Sequence, residues 1–319
     1  MRALRISVLG GTPHLCDIPR PEVTPGQTLI KVAACGLNFA DLLMIEGRYQ
    51  DNPEPPFTMG LEVSGVVEVA DPAGDGPAVG TRVAIYGGRG GLADYGAFAT
   101  DRLVPIPDAM PHTDAAALLI AYGTSHVALD HKARLQPGET LLVLGAAGGV
   151  GLTAVEIGKL MGARVIACAR GADKLAVAQK AGADHLIDAS TVDIRAAVKD
   201  LGGADVVYDP VGGDQFDAAF RAMRPEGRML VIGFASGRVP EVKPNHMLVK
   251  NIDLLGFYWG AYLKFRPQVV TDSLAQLMRW YDEGKIHPHV SHILPLERAT
   301  EGLELLRSRK STGKVVITP

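Results

Sequence analysis

From residue 140 onward, short unbroken apolar runs alternate with segments whose apolar positions recur every three or four residues. The runs are Thr140-Leu141-Leu142-Val143-Leu144, Arg164-Val165-Ile166-Ala167, His185-Leu186-Ile187, Asp205-Val206-Val207-Tyr208 and Met229-Leu230-Val231-Ile232. Helical spacing fills 150–161, 173–180, 194–200 and 215–223 between them. A run without polar alternation suits a strand covered on both faces, and its alternation with helices predicts a parallel sheet with helices on both sides. A further strand is expected at 252–256, then a helix over 269–281, a strand at 290–294, a short helix over 296–308 and a terminal strand at 313–317. Upstream the texture differs. Short apolar runs such as 28–33 and 63–69 lie between Gly/Pro clusters and read as β structure. Pro53, Pro55 and Pro56 mark a loop, the glycines of 87–91 mark another, and the alanine-rich stretch 114–131 reads as one helix.

Composition narrows the classes. With 319 residues, 47% hydrophobic and 21% charged, the chain can bury one large core or two medium ones. A formal net charge of −3 without a basic stripe argues against nucleic acid and anionic membranes as partners. The longest apolar stretch, 141–155, is broken by glycines and does not read as a membrane helix. Cys16, Cys35 and Cys168 are too few and too scattered for a disulfide framework or zinc ribbon. With no signal-peptide pattern at Met1-Arg2-Ala3-Leu4-Arg5-Ile6, a reducing cytoplasm is the expected location.

The strongest motif is Gly145-Ala146-Ala147-Gly148-Gly149-Val150-Gly151, between a predicted strand and a predicted helix. In that context glycines allow a tight turn and close approach of a pyrophosphate to backbone N–H groups at the positive end of a helix. Ala146 is a mild departure from the usual spacing. Ala146, Gly148, Gly149, Val150 and Gly151 are therefore candidate cofactor contacts. An NAD-selective site places an acid about 20 residues further on, at the tip of the second strand, to bond the ribose 2′-hydroxyl. Here the tip reads Ala167-Cys168-Ala169-Arg170-Gly171-Ala172-Asp173-Lys174. Asp173 precedes helical spacing and reads as a cap. Arg170 and Lys174 stand where a 2′-phosphate would lie, which points to NADPH; the competing reading of Arg170 is a solvated surface charge.

The chain resembles the medium-chain dehydrogenase/reductase superfamily, and within it the zinc-free quinone oxidoreductase (zeta-crystallin-like) branch, over essentially its full length. The resemblance is carried by Gly36-Leu37-Asn38-Phe39-Ala40-Asp41, Gly60-Leu61-Glu62-Val63-Ser64-Gly65, Asp94-Tyr95-Gly96-Ala97-Phe98, the 145–151 turn, Asp209-Pro210-Val211-Gly212-Gly213 and Gly256-Phe257-Tyr258-Trp259-Gly260. It implies an α/β fold: a Rossmann-type doubly wound parallel sheet over 119–261, plus a discontinuous β-rich GroES-like substrate domain from 1–118 and 262–319, with the active site in the cleft. Zinc-dependent alcohol dehydrogenases of this superfamily carry cysteine where Asn38 stands and histidine where Leu61 stands. No metal is therefore expected, and without a Lewis acid alcohol oxidation is disfavoured.

The resemblance also implies site residues. Asn38, Asp41 and Tyr49 become catalytic candidates, and Thr124, Phe234 and Arg309 cofactor-side candidates. Alternatives stand beside several. Asp41 also reads as an N-terminal helix charge, Tyr49 as a loop aromatic on 53–56, Phe234 as core, and Arg309 as part of a solvated basic run in which Lys310 and Lys314 are substitutes. An aromatic residue that some relatives place near the adenine is Ala189 here. His287, His289 and His292 read as surface or structural residues. The expected function is NADPH-dependent quinone reduction. Reduction of enones, enals or enoyl thioesters is an enzymatic alternative, and a low-turnover, crystallin-like NADPH-binding or RNA-binding protein is an alternative of another class. The apolar segment 252–258 and the resemblance together suggest a homodimer through a sheet edge.

Overall fold

The computed structural model describes all 319 residues, which divide into two compact units, Met1–Ile120 with Pro288–Pro319, and Ala121–His287. The first unit is mostly antiparallel β. Strands β1 (Arg2–Ile6), β2 (His14–Asp17) and β4 (Phe57–Thr58) form a small sheet in the order β2-β1-β4. The main sheet runs β15-β16-β3-β5-β6-β8, from β3 (Gln27–Gly36), β5 (Glu62–Val69), β6 (Arg82–Tyr86), β8 (Leu103–Pro105), β15 (Val290–Pro295) and β16 (Lys314–Thr318), while β7 (Tyr95–Ala99) pairs with β3. Helices α1 (Phe39–Ile45), α2 (His112–Ala115) and α11 (Ala299–Arg307) accompany it. Buried Ile30, Val32, Val63, Ile85, Val315 and Val316 supply its core. The antiparallel register Val316↔Gly36 and Ile317↔Cys35 lays the late strand β16 against β3 and so completes the unit.

In the second unit every strand pairing is parallel. Its sheet runs β11-β10-β9-β12-β13-β14, from β9 (Thr140–Leu144), β10 (Arg164–Ala169), β11 (His185–Asp188), β12 (Ala204–Asp209), β13 (Met223–Val231) and β14 (Asp253–Gly256). All five residues of β9 are buried, as the unbroken apolar run predicts for a central parallel strand. Helices α4 (Gly149–Leu160), α5 (Ala172–Lys180), α6 (Ile194–Asp200) and α7 (Gly213–Ala222) connect the strands. From β9 the chain winds outward through β10 and β11, then returns to β12 on the other side. This is the strand order of a doubly wound Rossmann-type sheet, and right-handed crossovers then place helices on both faces.

Three elements differ from the sequence reading. The single helix expected over 114–131 is broken into α2, α3 (Leu119–His126) and a π-helical turn at Val127–Lys132. At the restart, the Ile120 N–H donates to Glu62 Oε1 at 2.9 Å, so a side chain satisfies a first-turn donor. Helices α8 (Pro244–Lys250) and α9 (Trp259–Phe265) were not anticipated; Leu248 and Val249 of α8 are each 76% exposed, so no buried stripe marks it. Finally, 262–287 lies with the second unit rather than with the tail of the first. Helix α10 (Pro267–Asp282) buries Val270, Leu274 and Leu277 there, the Ser273 hydroxyl bonds His126 Nδ1 at 2.8 Å, and Trp280 meets the His126 ring edge-on.

Candidate functional site

The glycine turn leaves β9 at the C-terminal edge of the parallel sheet, where the winding direction reverses and doubly wound sheets bind their ligands. Ala146 is buried and its N–H donates to Cys168 O at 3.0 Å, stitching the turn to β10. Gly148 caps α4, and the Leu152 N–H to Gly148 O bond of 2.8 Å opens the helix ladder, so the N–H groups of Gly149, Val150 and Gly151 have no intrahelical acceptor. A Cβ on Gly151 would sit 2.2 Å from Gly145 O, so only glycine lets α4 start this close to the strand. A Cβ on the exposed Gly148 would meet only Gly145 O, at 3.4 Å. The turn thus offers first-turn donors at an open backbone surface, which fits a dinucleotide's pyrophosphate.

Arg170 is exposed at the tip of β10, beside this turn. Gly171, with φ 83°, is the N-cap of α5, and Asp173 lies inside the first turn rather than at the cap; Lys174 follows, half-buried. The sequence reading did not weigh Asp188. It lies opposite Ala169 at the end of β11, and its Oδ1 accepts from Gly171 N at 3.1 Å, Ser190 N at 2.9 Å and the Ser190 hydroxyl at 2.5 Å. Those Ser190 donors, then Gly171, hold its carboxyl below the usual range. The local N–H and O–H donors all converge on Asp188 Oδ1, and Arg170 has no ion pair.

Thr124 is nearly buried in α3. Its neighbour Ser125 bonds Val150 O at 2.9 Å, the Thr153 hydroxyl at 2.8 Å and the Tyr208 hydroxyl at 3.0 Å. This buried hydroxyl cluster fixes α3, the start of α4 and β12 relative to one another, and its members are spread too widely along the sequence to be read as a group. Phe234 follows β13, is 38% exposed and lies beside Gly212. At the end of β12, Asp209 accepts from Val211 N at 2.7 Å and Gly212 N at 2.9 Å, while its buried Oδ2 lacks a partner. Burial pushes its carboxyl up to about 6, against those two bonds. An acid whose folded value is raised stabilises the fold below its unfolded value of 3.8 and loses that contribution as pH rises through about 6. Asp209→Asn should therefore gain on the parent protein, by on the order of a few degrees in Tm, between pH 4 and pH 7.5. Thermal scans at both pH values check this; a Tm difference that does not change with pH would refute it.

In the first unit, Asn38, Asp41, Glu62 and Lys314 form one cluster. Asn38 caps α1, and its backbone N–H donates to Asp41 Oδ2 at 2.8 Å. Asp41 is fully buried with Oδ1 unpartnered; burial pushes it up to about 7, opposed by the Asn38 N–H and the Lys314 charge. Lys314 Nζ lies 2.7 Å from both Glu62 Oε2 and Asn38 Oδ1. Asn38 Nδ2 donates to Gly36 O at 3.1 Å and Glu62 Oε2 at 3.2 Å. Lys314, considered above as a substitute for Arg309 in a solvated basic run, is instead buried. Glu62 and Lys314 were missed as a pair; the available signal was a charge opening each of two strands rich in apolar residues, β5 and β16. The Tyr49 hydroxyl hydrogen-bonds Tyr86, and burial first and Tyr49 second push the Tyr86 phenol up. Arg309 is exposed after α11 with φ 57°. His287 donates its backbone N–H to Glu156, His289 meets the Thr312 hydroxyl and His292 the Ser291 hydroxyl, each with its own partner.

Two family models match, an alcohol dehydrogenase GroES-like domain over residues 24–108 and a zinc-binding dehydrogenase domain over residues 149–280. The quinone oxidoreductase-like protein 2 homolog of Nematostella vectensis is 40% identical over 298 residues, covering 91% of this chain and 81% of that protein. The chain belongs to the medium-chain dehydrogenase/reductase superfamily, in its quinone oxidoreductase branch. The quinone oxidoreductase-like protein 2 of Bos taurus is 38% identical, covering 94% of this chain and 87% of that protein. The quinone oxidoreductase of Thermus thermophilus, whose structure was determined alone and with NADPH, superposes with a TM-score of 0.88 at 32% identity over 100% of both chains. Membership of this branch accounts for the pairing of a GroES-like β unit with a Rossmann-type sheet. No helix is long and apolar enough to cross a membrane.

Proposed function

We propose that the chain is an NADPH-dependent reductase that delivers hydride to quinones or comparably activated acceptors without a metal, with the GroES-like unit as the substrate domain. The observation that carries this is the glycine turn at the sheet's C-terminal edge with Arg170 at the neighbouring strand tip. The turn's first-helix N–H groups receive the pyrophosphate, and Arg170, with Lys174, receives the 2′-phosphate. A bound nicotinamide supplies the hydride. Thr124 and Phe234 on the cofactor side, and Arg309 at the adenosine end, complete the binding set. Asn38 and Tyr49 are assigned to the acceptor, where Tyr49 supplies a hydroxyl proton and Asn38 an N–H for oxygen that gains charge, while the buried Asp41 supports the site by holding the Asn38 backbone N–H. The test is NADPH oxidation against quinones, enals and enoyl thioesters. Turnover with quinones well above the other acceptors is expected; turnover confined to enoyl thioesters would overturn the acceptor assignment.

The side chains at the family's zinc position support a metal-free reaction. Leu61 is a buried hydrocarbon, Asn38 is an amide already bonded, and the Lys314 ammonium sits 2.7 Å from the nearest carboxylate oxygen. This set does not fit a zinc ion, which takes Cys, His or carboxylate donors in a tetrahedron. Rates should be unchanged after exhaustive dialysis against a chelator; loss of turnover that zinc restores would refute this.

A homodimer is also proposed, through strand β14 at the open edge of the parallel sheet and the exposed Leu248 and Val249 of α8. Sedimentation equilibrium at micromolar concentration should give about twice the chain mass of 33.7 kDa. A monomer mass would count against it.

A further inference from the structure

We infer that Lys314 is a positioning residue for hydride transfer, acting by anchoring the carbonyl of the Asn38 amide so that its Nδ2 edge serves the acceptor oxygen. The inference rests on the proposed role of Asn38. Three neighbouring strands build the arrangement: Lys314 opens β16, Asn38 follows β3, and Glu62 opens β5. The side chains of Lys314 and Glu62 are 5% and 0% exposed. A buried ammonium must be paired, and here it is shared between a carboxylate and an amide oxygen.

The bond lengths give the amide a direction. Its oxygen is held by a charge-assisted contact of 2.7 Å, whereas its nitrogen makes longer bonds of 3.1 and 3.2 Å. An oxygen gaining negative charge competes for one of those N–H groups far more readily than it could displace the ammonium. A cation on the carbonyl also polarises the amide and strengthens Nδ2 as a donor. Glu62 fixes the cation, and its other oxygen holds the Ile120 N–H, so the pair cannot shift without disturbing the start of α3.

The test uses the full-length protein, single-turnover NADPH oxidation with one quinone, NADPH affinity by fluorescence titration, and thermal melting. Lys314→Met alone leaves Glu62 buried and unpaired and can fail to fold, so the informative variant is Lys314→Met with Glu62→Gln, which removes both charges and keeps an acceptor for Ile120. Expected are a Tm and NADPH affinity near the parent, with hydride transfer slowed about ten- to a hundredfold. Lys314→Arg should recover part of that loss. On an Asn38→Ala background the same double change should alter the rate by less than about twofold, because its effect passes through Asn38. A double variant with the parent rate, or equal losses with and without Asn38, would overturn the inference. Asn38→Ala at the parent rate would instead overturn the assignment of Asn38, and with it the inference; absence of any quinone turnover in the parent would overturn the functional reading itself.

Discussion

Gly151→Ala should lose dinucleotide binding and thermal stability together, whereas Gly148→Ala should lose binding alone. The added methyl at residue 151 meets Gly145 O at 2.2 Å, Gly145 C at 2.8 Å and Ala146 Cα at 3.1 Å, all backbone atoms that no rotamer change can clear. The start of α4 must then move away from β9. Overpacking of this kind costs about 1–3 kcal/mol, and each kcal/mol lowers Tm by about 2–4 °C in a unit of this size. Displacing aligned donors by about 1 Å costs on the order of a hundredfold. At residue 148 the methyl finds its nearest neighbour at 3.4 Å and the backbone φ is −80°, so the fold accepts it. The methyl does, however, occupy the open backbone surface that a pyrophosphate approaches. Melting curves and NADPH titrations on both variants separate the two effects. Parent-like affinity in Gly151→Ala would mean that the turn is not the phosphate site.

Arg170→Ala should erase most of the discrimination between NADPH and NADH. The guanidinium stands at the strand tip with no ion pair, so its planar fork is available to a phosphate. A charge-assisted contact of this kind contributes about 1.5–3 kcal/mol, or about ten- to a hundredfold in affinity. The loss should fall on NADPH only, since NADH lacks the phosphate, and the preference should shrink with salt because the residue is exposed. The measurement is kcat/KM for both cofactors at saturating quinone. Equal losses would assign Arg170 to the fold, and a parent protein preferring NADH would overturn the cofactor assignment.

What could be read along the chain was what neighbouring residues encode. The central strands of the parallel sheet, β9, β10 and β12, announced themselves because both faces of each are buried, and the 145–151 turn because strand, glycines and helix are contiguous. What escaped depends on partners far away in sequence. The break in 114–131 needs Glu62, 58 residues before Ile120. The placement of 262–287 needs the His126 to Ser273 bond across 147 residues. Lys314 reads as a tail charge until a carboxylate 252 residues earlier is placed beside it. Helix α8 escaped for another reason: Leu248 and Val249 face outward and only Met247 packs inward, so no periodic buried stripe exists to be read.

The position of β16 has a consequence for biosynthesis. Domains emerging from a ribosome usually fold in the order they are made. Here the first unit cannot close in that order, because the strand that lies between β15 and β3 is translated after the whole of the second unit. The nascent GroES-like sheet must wait with the Cys35–Gly36 end of β3 lacking its β16 partner and the Glu62 carboxylate without its cation while the Rossmann-type unit assembles. Synthesis of β16, rather than completion of any earlier segment, then becomes the event that commits the first unit to its native state, and synthesis stalled before Lys314 would leave an open, aggregation-prone edge.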